Sequence, residues 1–264
     1  MTSSTTQPDA PYVLRDHAAG IVTLTLNRGD KFNPLSEEMM TALQTELDNI
    51  AADPSVRVVV LAATGRAFCA GHDLKQMRAA PSATYYKNLF NQCSKLMLTI
   101  EQLPQPVIAR VQGIATAAGC QLVAMCDLAV ASSEAKFAVS GVNYGLFCST
   151  PSVGLSRNIG RKQAMEMLLT GEFIDASTAL ARGLLNRVVS AESLDTEIAL
   201  LTASILAKPA VAITMGKQLF YRQLEMGISA AYQLAGETMA CNMMDESALE
   251  GVQAFIEKRQ PSWR

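Results

Sequence analysis

The sequence predicts an α/β fold that gives way to a helical C-terminal region, and three observations predict it. Two apolar runs of strand length, residues 56–62 and 107–111, each lead through a small-residue turn into a helical pattern. Such unbroken runs suit strands covered on both faces. From about residue 190 the pattern is helix after helix. The expected organisation is a loose tail over 1–11, an α/β core over 12–190 and a helical region over 191–264.

Taken in order, residues 12–15 and 21–26 alternate apolar and polar around Ala19-Gly20, which predicts a β-hairpin. Residues 27–34 form a loop. Ser36 is the N-cap of a helix with Glu37 and Glu38 in its first turn, where the helix dipole favours acids. Met39, Met40, Leu43, Leu47 and Ile50 give it an apolar stripe as far as Ala52. A long amphipathic helix is expected over 85–103, with Phe90, Cys93, Met97, Ile100 and Leu103 on one side. Pro104 and Pro106 stop it. A short helix over 121–126 follows the second turn, then short strands over 128–131 and 136–138. Residues 141–154 predict a long loop around Pro151. Helices are expected over 176–182, 191–207, 210–224, 228–244 and 246–258, with a strand over 184–189. No sequence period of the solenoid kind is present.

Composition narrows the function. About half of the 264 residues, 49%, are apolar, so a large core is possible. Lys+Arg 22 against Asp+Glu 24 gives a net charge of −2, which argues against broad binding of nucleic acid or an anionic membrane. No apolar run reaches the roughly 18 residues a membrane helix needs. Residues 1–11 lack both an apolar core and arginine, so they predict no targeting segment. Six cysteines without a C-x-x-C pair suit reduced thiols and a cytoplasmic protein. With only His17 and His72, no site of three histidines can form, and no metal is expected.

The two turns carry the chemistry. The first is Arg66-Ala67-Phe68-Cys69-Ala70-Gly71-His72-Asp73-Leu74-Lys75. The second is Gln112-Gly113-Ile114-Ala115-Thr116-Ala117-Ala118-Gly119-Cys120-Gln121-Leu122. Helix starts present free N–H groups, so two such turns face to face would hold one oxygen with two donors.

These residues also carry a resemblance. Leu26-Asn27-Arg28 with Asn33-Pro34-Leu35-Ser36, Ala70-Gly71-His72-Asp73-Leu74, Gly113 with Ala118-Gly119-Cys120 and Cys126-Asp127, and Phe255 with Lys258-Arg259 stand in the order of the enoyl-CoA hydratase/isomerase (crotonase) family. The sequence resembles that family over almost its whole length. Further stretches, Ala115 to Leu122 and Gly145-Leu146-Phe147-Cys148-Ser149-Thr150-Pro151, point to one subgroup of it. The resemblance implies a spiral of β-β-α units with a C-terminal helical trimerisation region, assembled as a trimer or dimer of trimers. It implies a coenzyme A thioester as substrate, with no permanently bound cofactor. The thioester oxygen would meet the backbone N–H groups of His72 and Ala118. Lys31, Phe32 and Asn33 would lie near the nucleotide, and Ala70, His72, Asp73 and Leu74 along the adenine and pantetheine path. Lys258, or Arg259 beside it, would reach a phosphate of a neighbouring subunit's ligand.

The sequence departs from the family at the two glutamates by which its hydratases add water. Those positions are Gln121 and Gly141 here, and no Asp or Glu occurs between Glu134 and Glu166. The expected activity is therefore enoyl-CoA hydratase-like binding of an acyl-CoA and stabilisation of its enolate. Decarboxylation, isomerisation or binding without chemistry are the alternatives. The His72 side chain is expected to point toward solvent or coenzyme A. Asn143, Tyr144, Ser149 and Thr150 are candidate polar contacts. Cys120 and Cys148 are expected to pack rather than react, Asp127 to bond locally, and Tyr221 to sit in the core or an interface.

Overall fold

The computed structural model describes residues 10–79 and 81–263. The expected tail over 1–11 falls almost wholly outside them. The chain opens as an antiparallel hairpin, β1 (Val13–Ala18) and β2 (Ile21–Leu26), turning at Ala19-Gly20. Helix α1 (Glu37–Ala51) starts where Ser36 Oγ accepts the Met39 N–H. Strands β3 (Val58–Ala63) and β4 (Ala67–Cys69) then precede α2 (Leu74–Ala79), and α3 (Ala83–Gln102) lies beyond. The pattern repeats with β5 (Val107–Val111), β6 (Ile114–Thr116) and α4 (Ala118–Met125). Strands β7 (Leu128–Ser132) and β8 (Lys136–Ala138) lead to a 3-10 turn over Ser140–Tyr144.

The unit is thus two strands and then a helix. Both strands of the opening hairpin join a six-stranded sheet; after it, β3, β5 and β7 join that sheet and β4, β6 and β8 join a separate four-stranded one. The first sheet runs β1-β2-β3-β5-β7-β10, where β10 is Arg187–Val189, and is parallel from β2 onward. The second runs β4-β6-β8-β9, with the short β9 (Ile174–Asp175) antiparallel at its edge. This is the β-β-α spiral that the resemblance implies. Each expected small-residue turn proves to contain a three-residue strand.

One expectation fails outright. Residues 141–154 are not a loop: α5 (Ser149–Asn158) begins inside them. Pro151 is its third residue, where the missing N–H would have no helical partner anyway, so proline opens this helix rather than interrupting it. The next helix, α6 (Arg161–Thr170), has no counterpart in the expected pattern. It buries only Ala164, Met167 and Leu168 on an otherwise exposed surface. Helices α7 (Ala176–Ala181) and α8 (Leu194–Leu206) follow.

The main core lies among the sheets, α1, α3 and α4, with Met39, Leu43, Leu61, Phe68, Leu96 and Phe137 sealed in it. On the other face of the large sheet, Val58, Val60, Ile108 and Val130 pack against Leu194, Ile198 and Leu201 of α8. The last helices differ. Neither α9 (Ala210–Leu224) nor α10 (Ile228–Met243) buries any residue as a whole, although the Lys217 side chain of α9 is only 6% exposed, and α11 (Glu246–Ile256) buries only Ala254.

A polar network ties α9 to the core. Lys217 Nζ donates to Ile100 O (3.0 Å), Gln105 O (3.0 Å) and Asp127 Oδ2 (2.7 Å). Asp127 also accepts from Val107 N (2.7 Å) and the Tyr221 hydroxyl (2.9 Å). Asp127 therefore does not bond locally as expected; it bridges α9 to the start of β5. Burial pushes its carboxyl up from the ordinary range and the Lys217 ammonium down, and each charge opposes the shift of the other.

Removing one member of this pair strands a buried charge. Lys217→Met is expected to cost about 3–5 kcal/mol in urea unfolding at fixed protein concentration. Adding Asp127→Asn should recover part of that loss. A single-variant cost below about 1 kcal/mol would show that the network does not hold α9.

Candidate active site between two backbone turns

The two turns meet backbone to backbone. Gly71 has φ +87°, and a Cβ there would lie 2.9 Å from Ala117 Cβ and 3.2 Å from Ala118 N. A Cβ on Gly119 would be driven into the Cys69 carbonyl. Small residues are thus required because two chain segments occupy adjoining space. Ala117 itself sits at φ 50° and ψ −122°, an unfavourable conformation for a residue with a side chain. It places Ala118 as the first residue of α4, whose N–H has no partner within the helix. The loop before α1 clamps the first turn, through Leu35 N to Gly71 O (2.8 Å) and Ala70 N to Phe32 O (3.0 Å).

Beside this junction lies a cavity of about 160 Å³. Ala70, His72, Leu74, Ala118 and Gly141 line it, five positions brought together as the sequence suggested. Phe90 and Met77 form one apolar side, and Tyr144, Leu146, Phe147 and Pro151 another. No Asp, Glu, Lys or Arg is among the residues that line it. The wall of Leu146 and Phe147 is absent from the sequence expectation. Its signal was available: two large apolar residues directly after Gly145 in a polar stretch.

The imidazole of His72 is turned into the protein and not toward solvent, one of the two expected directions. Its Nδ1 lies 3.2 Å from Leu35 O, and since a carbonyl only accepts, Nδ1 carries the proton. Phe90 packs edge-on against the ring at 5.6 Å. Nε2 is buried with no partner among the described residues. Burial pushes the pKa of the ring down, and the bond to Leu35 opposes this only in part.

Other expected contacts resolve differently. Asn33 is fully buried and staples the loop: Oδ1 accepts Arg28 N (2.8 Å), and Nδ2 donates to Thr64 O (2.8 Å) and Ala67 O (2.9 Å). Its side chain is therefore a scaffold element and not a ligand contact. Phe32 lies under the Arg66 guanidinium at 4.4 Å. Lys31 is exposed on a separate polar recess that it shares with Arg28, Glu38, Asp73 and Gln76. Asp73 caps α2 by accepting Lys75 N (2.9 Å) and Gln76 N (3.1 Å). Lys258 lies beyond α11, exposed, and lines neither the cavity nor the recess. Arg259 is paired with Glu250 (2.6 and 2.9 Å) and Glu257 (2.6 Å) at the surface.

Gln121 is 4% exposed and lies one turn along α4 from Ala118. Gly141 has no room for a side chain. A Cβ there would enter the Leu146 carbonyl and come within 2.8 Å of Cys148 Sγ. Gly141 N also donates to that sulfur at 3.3 Å. Cys120 is fully buried, its thiol pushed up to about 12, and burial raises Cys148 as well. Burial disfavours the thiolate form of both, although Cys148 also lines the cavity. Asn143 bonds Gly171 O (3.3 Å) and does not line the cavity, whereas Tyr144, Ser149 and Thr150 do.

A family model described as Enoyl-CoA hydratase/isomerase matches residues 16–264. The chain is 43% identical to "Enoyl-CoA hydratase domain-containing protein 3, mitochondrial" of Xenopus laevis over 263 residues, covering 100% of this chain and 90% of that protein. This is the subgroup to which the stretches around Ala115 and Gly145 point. A crystal structure described as enoyl-CoA hydratase of Mycobacterium smegmatis superposes with a TM-score of 0.95 at 63% identity, covering 96% of this chain and 99% of that one. The structure of human enoyl-CoA hydratase domain-containing protein 3 superposes with a TM-score of 0.92 at 42% identity, covering 96% and 100%.

The buried imidazole predicts a pH effect. The folded ring resists protonation, so below the unfolded pKa of about 6.5 the unfolded chain takes up a proton that the folded chain does not. This contribution is fully present above that pH and is lost as pH falls through it, by at most about 1.4 kcal/mol per pH unit. Urea unfolding at pH 7.5 and pH 5.5 should show a smaller loss for His72→Gln than for the parent chain. Equal losses would mean that the ring titrates freely in the fold.

Proposed function

The chain belongs to the enoyl-CoA hydratase/isomerase family, and from that membership and the cavity we propose that it binds a coenzyme A thioester and stabilises its enolate without hydration by a glutamate pair. The observation that carries this is the pair of N–H groups at the junction. His72 N–H and Ala118 N–H donate to no protein group among the described residues, and both residues line the cavity. An enolate oxygen develops negative charge, and preorganised donors away from water stabilise it; losing one such donor costs about 10²–10³ in rate in other enzymes.

Hydration needs more. One group must deprotonate water and another must deliver a proton. The amide of Gln121 exchanges no proton at neutral pH. Gly141 has no side chain, and Leu146 and Cys148 fill the space one would take. Decarboxylation is the second reading, favoured by the apolar lining. A carboxylate on the acyl group would find no cation there, and burying an unpaired charge is costly. Loss of carbon dioxide leaves its electron pair on the enolate, whose oxygen the two N–H groups receive, and solvent then protonates the carbon.

Lys31 on the polar recess is the cation we place near the coenzyme A phosphates. Lys258 is left for a neighbouring subunit's ligand. Self-association as a trimer or dimer of trimers is supported by the unburied faces of α9 and α10. There Ile228 is 78% exposed, Tyr232 75% and Met239 70%, large apolar side chains that a neighbouring copy would cover. Six free cysteines suit a reducing compartment, which we take to be the cytoplasm; the names of the vertebrate relatives place those proteins in mitochondria. Among the described residues no single helix is long and apolar enough to cross a membrane.

The test is to incubate the protein with crotonyl-CoA and with malonyl-CoA and to follow both by mass spectrometry, alongside their effect on the melting temperature. Both thioesters should raise the melting temperature, because a ligand of the folded form stabilises it by mass action. Crotonyl-CoA should remain essentially unhydrated, and Gln121→Glu alone should not restore hydration. Hydration of crotonyl-CoA at the rate of ordinary hydratases would overturn the proposal, as would the absence of any thermal shift.

A further inference from the structure

The edge of the cavity has two characters. Part of it adjoins the polar recess that holds Lys31: Asp73 lines the recess, and its chain neighbours His72 and Leu74 line the cavity. Another part is made by Tyr144, Leu146 and Phe147, and all three are exposed. The floor is different, since Ala118 and Cys148 are buried. Single exposed apolar side chains are ordinary on a protein surface. Three of them within four residues, at the edge of a cavity, form a patch that marks a binding surface.

The backbone fixes this patch in place. Gly145 N donates to Val142 O (3.1 Å), Leu146 N to Gly141 O (3.0 Å) and Ser149 N to Phe147 O (2.8 Å). On the same segment, Asn143 Nδ2 donates to Gly171 O (3.3 Å), where the chain leaves α6. Gly145 turns the chain at φ +76°, with open space where a side chain would stand. The three apolar side chains are thus displayed at the surface by a hydrogen-bonded segment, before any ligand arrives.

The cavity is small for what its edge presents. An apolar cavity of roughly 150 Å³ in another protein holds one benzene molecule. The space of about 160 Å³ here therefore takes on the order of six non-hydrogen atoms, and a thioester group would use part of it. A longer chain has to leave the cavity. The recess around Lys31 offers charge and hydrogen bonds, which suit phosphates and amides and give nothing to methylenes. The apolar edge offers the reverse. We propose that Tyr144, Leu146 and Phe147 form an outer seat for the acyl chain, and that the site selects chains longer than about six carbons over shorter ones. This rests on the cavity being an acyl-CoA site. The three are specificity-determining residues in it. They cover methylenes and touch no reacting atom.

The test is calorimetric titration of the full chain with hexanoyl-CoA and with decanoyl-CoA, each below the concentration at which it forms micelles. Complete burial of a methylene is worth about fourfold in affinity. On a half-open edge about twofold per methylene is expected, so decanoyl-CoA should bind about tenfold or more tightly than hexanoyl-CoA. That ratio should fall toward one when Leu146→Ser and Phe147→Ser are combined, whereas Leu146→Met with Phe147→Leu should retain it. A ratio compares two ligands on one protein, so a general loss of affinity does not mimic the effect. If the double serine variant fails to fold, Tyr144→Ser decides alone by the same fall in the ratio. A ratio at or below one in the parent chain overturns this inference and leaves the acyl-CoA reading standing; it is also the result expected if a second copy of the chain covers the three residues. A ratio that survives the double serine variant overturns it as well. Failure of both thioesters to bind overturns the acyl-CoA reading and this inference with it.

Discussion

Everything near the site depends on how closely two backbone segments approach. Gly71 lies against Ala117 and Ala118, and Gly119 lies against the carbonyl of Cys69. A single methyl group at either glycine would have to push main chain aside, and the interior has no slack to absorb that. The approach is possible because β4 and β6, neighbours in the small sheet, deliver the two turns side by side. The larger sheet holds the preceding strands β3 and β5 in register. The cavity is what remains where two turns touch and α3 and the segment before α5 close around them.

The same constraint explains why the donors we propose are main-chain groups. A side-chain donor would need space between the turns, and none exists there. Main-chain N–H groups occupy no additional volume, and the fold fixes their direction. Ala117 adopts a strained conformation immediately before Ala118, which is a local cost that packing on both sides sustains. The burial of His72 belongs to this arrangement as well. With its ring held by Leu35 and Phe90, its backbone has little freedom to turn the N–H elsewhere.

How much of this the sequence carried depended on range. The hairpin, the Ser36 cap and β3 were legible because periodicity and capping are local signals. Strands β4 and β6 were not, since three residues cannot display an alternation. Helix α5 was hidden by Pro151, which reads as a breaker unless its place in the first turn is known. The roles of Asn33 and Asp127 were out of reach altogether. Asn33 joins Thr64 and Ala67, and Asp127 joins Lys217 on a helix 90 residues later; nothing adjacent to either encodes the partner. The backbone part of the site could be read from small residues in two turns. The wall of Leu146 and Phe147 required the return of the chain from β8 to α5.

The region around Gly141 shows that the neutral character of the site is not a matter of two side chains. Leu146 N donates to Gly141 O at 3.0 Å, and Gly141 N donates to Cys148 Sγ, so the segment folds back on itself at this point. The Leu146 carbonyl and the Cys148 sulfur then occupy the volume into which a side chain at 141 would grow. A carboxylate placed at 121 would occupy a position that is only 4% exposed. A carboxylate placed at 141 would first have to disrupt the 3-10 turn in which that residue lies and displace the Leu146 carbonyl. The segment from Ser140 to Pro151 is therefore best understood as one packed unit, whose shape excludes an acid at 141 while presenting Ser140, Leu146 and Phe147 to the cavity. On the proposed function, chemistry at the carbon beside a thioester would be governed by that segment as much as by the two turns.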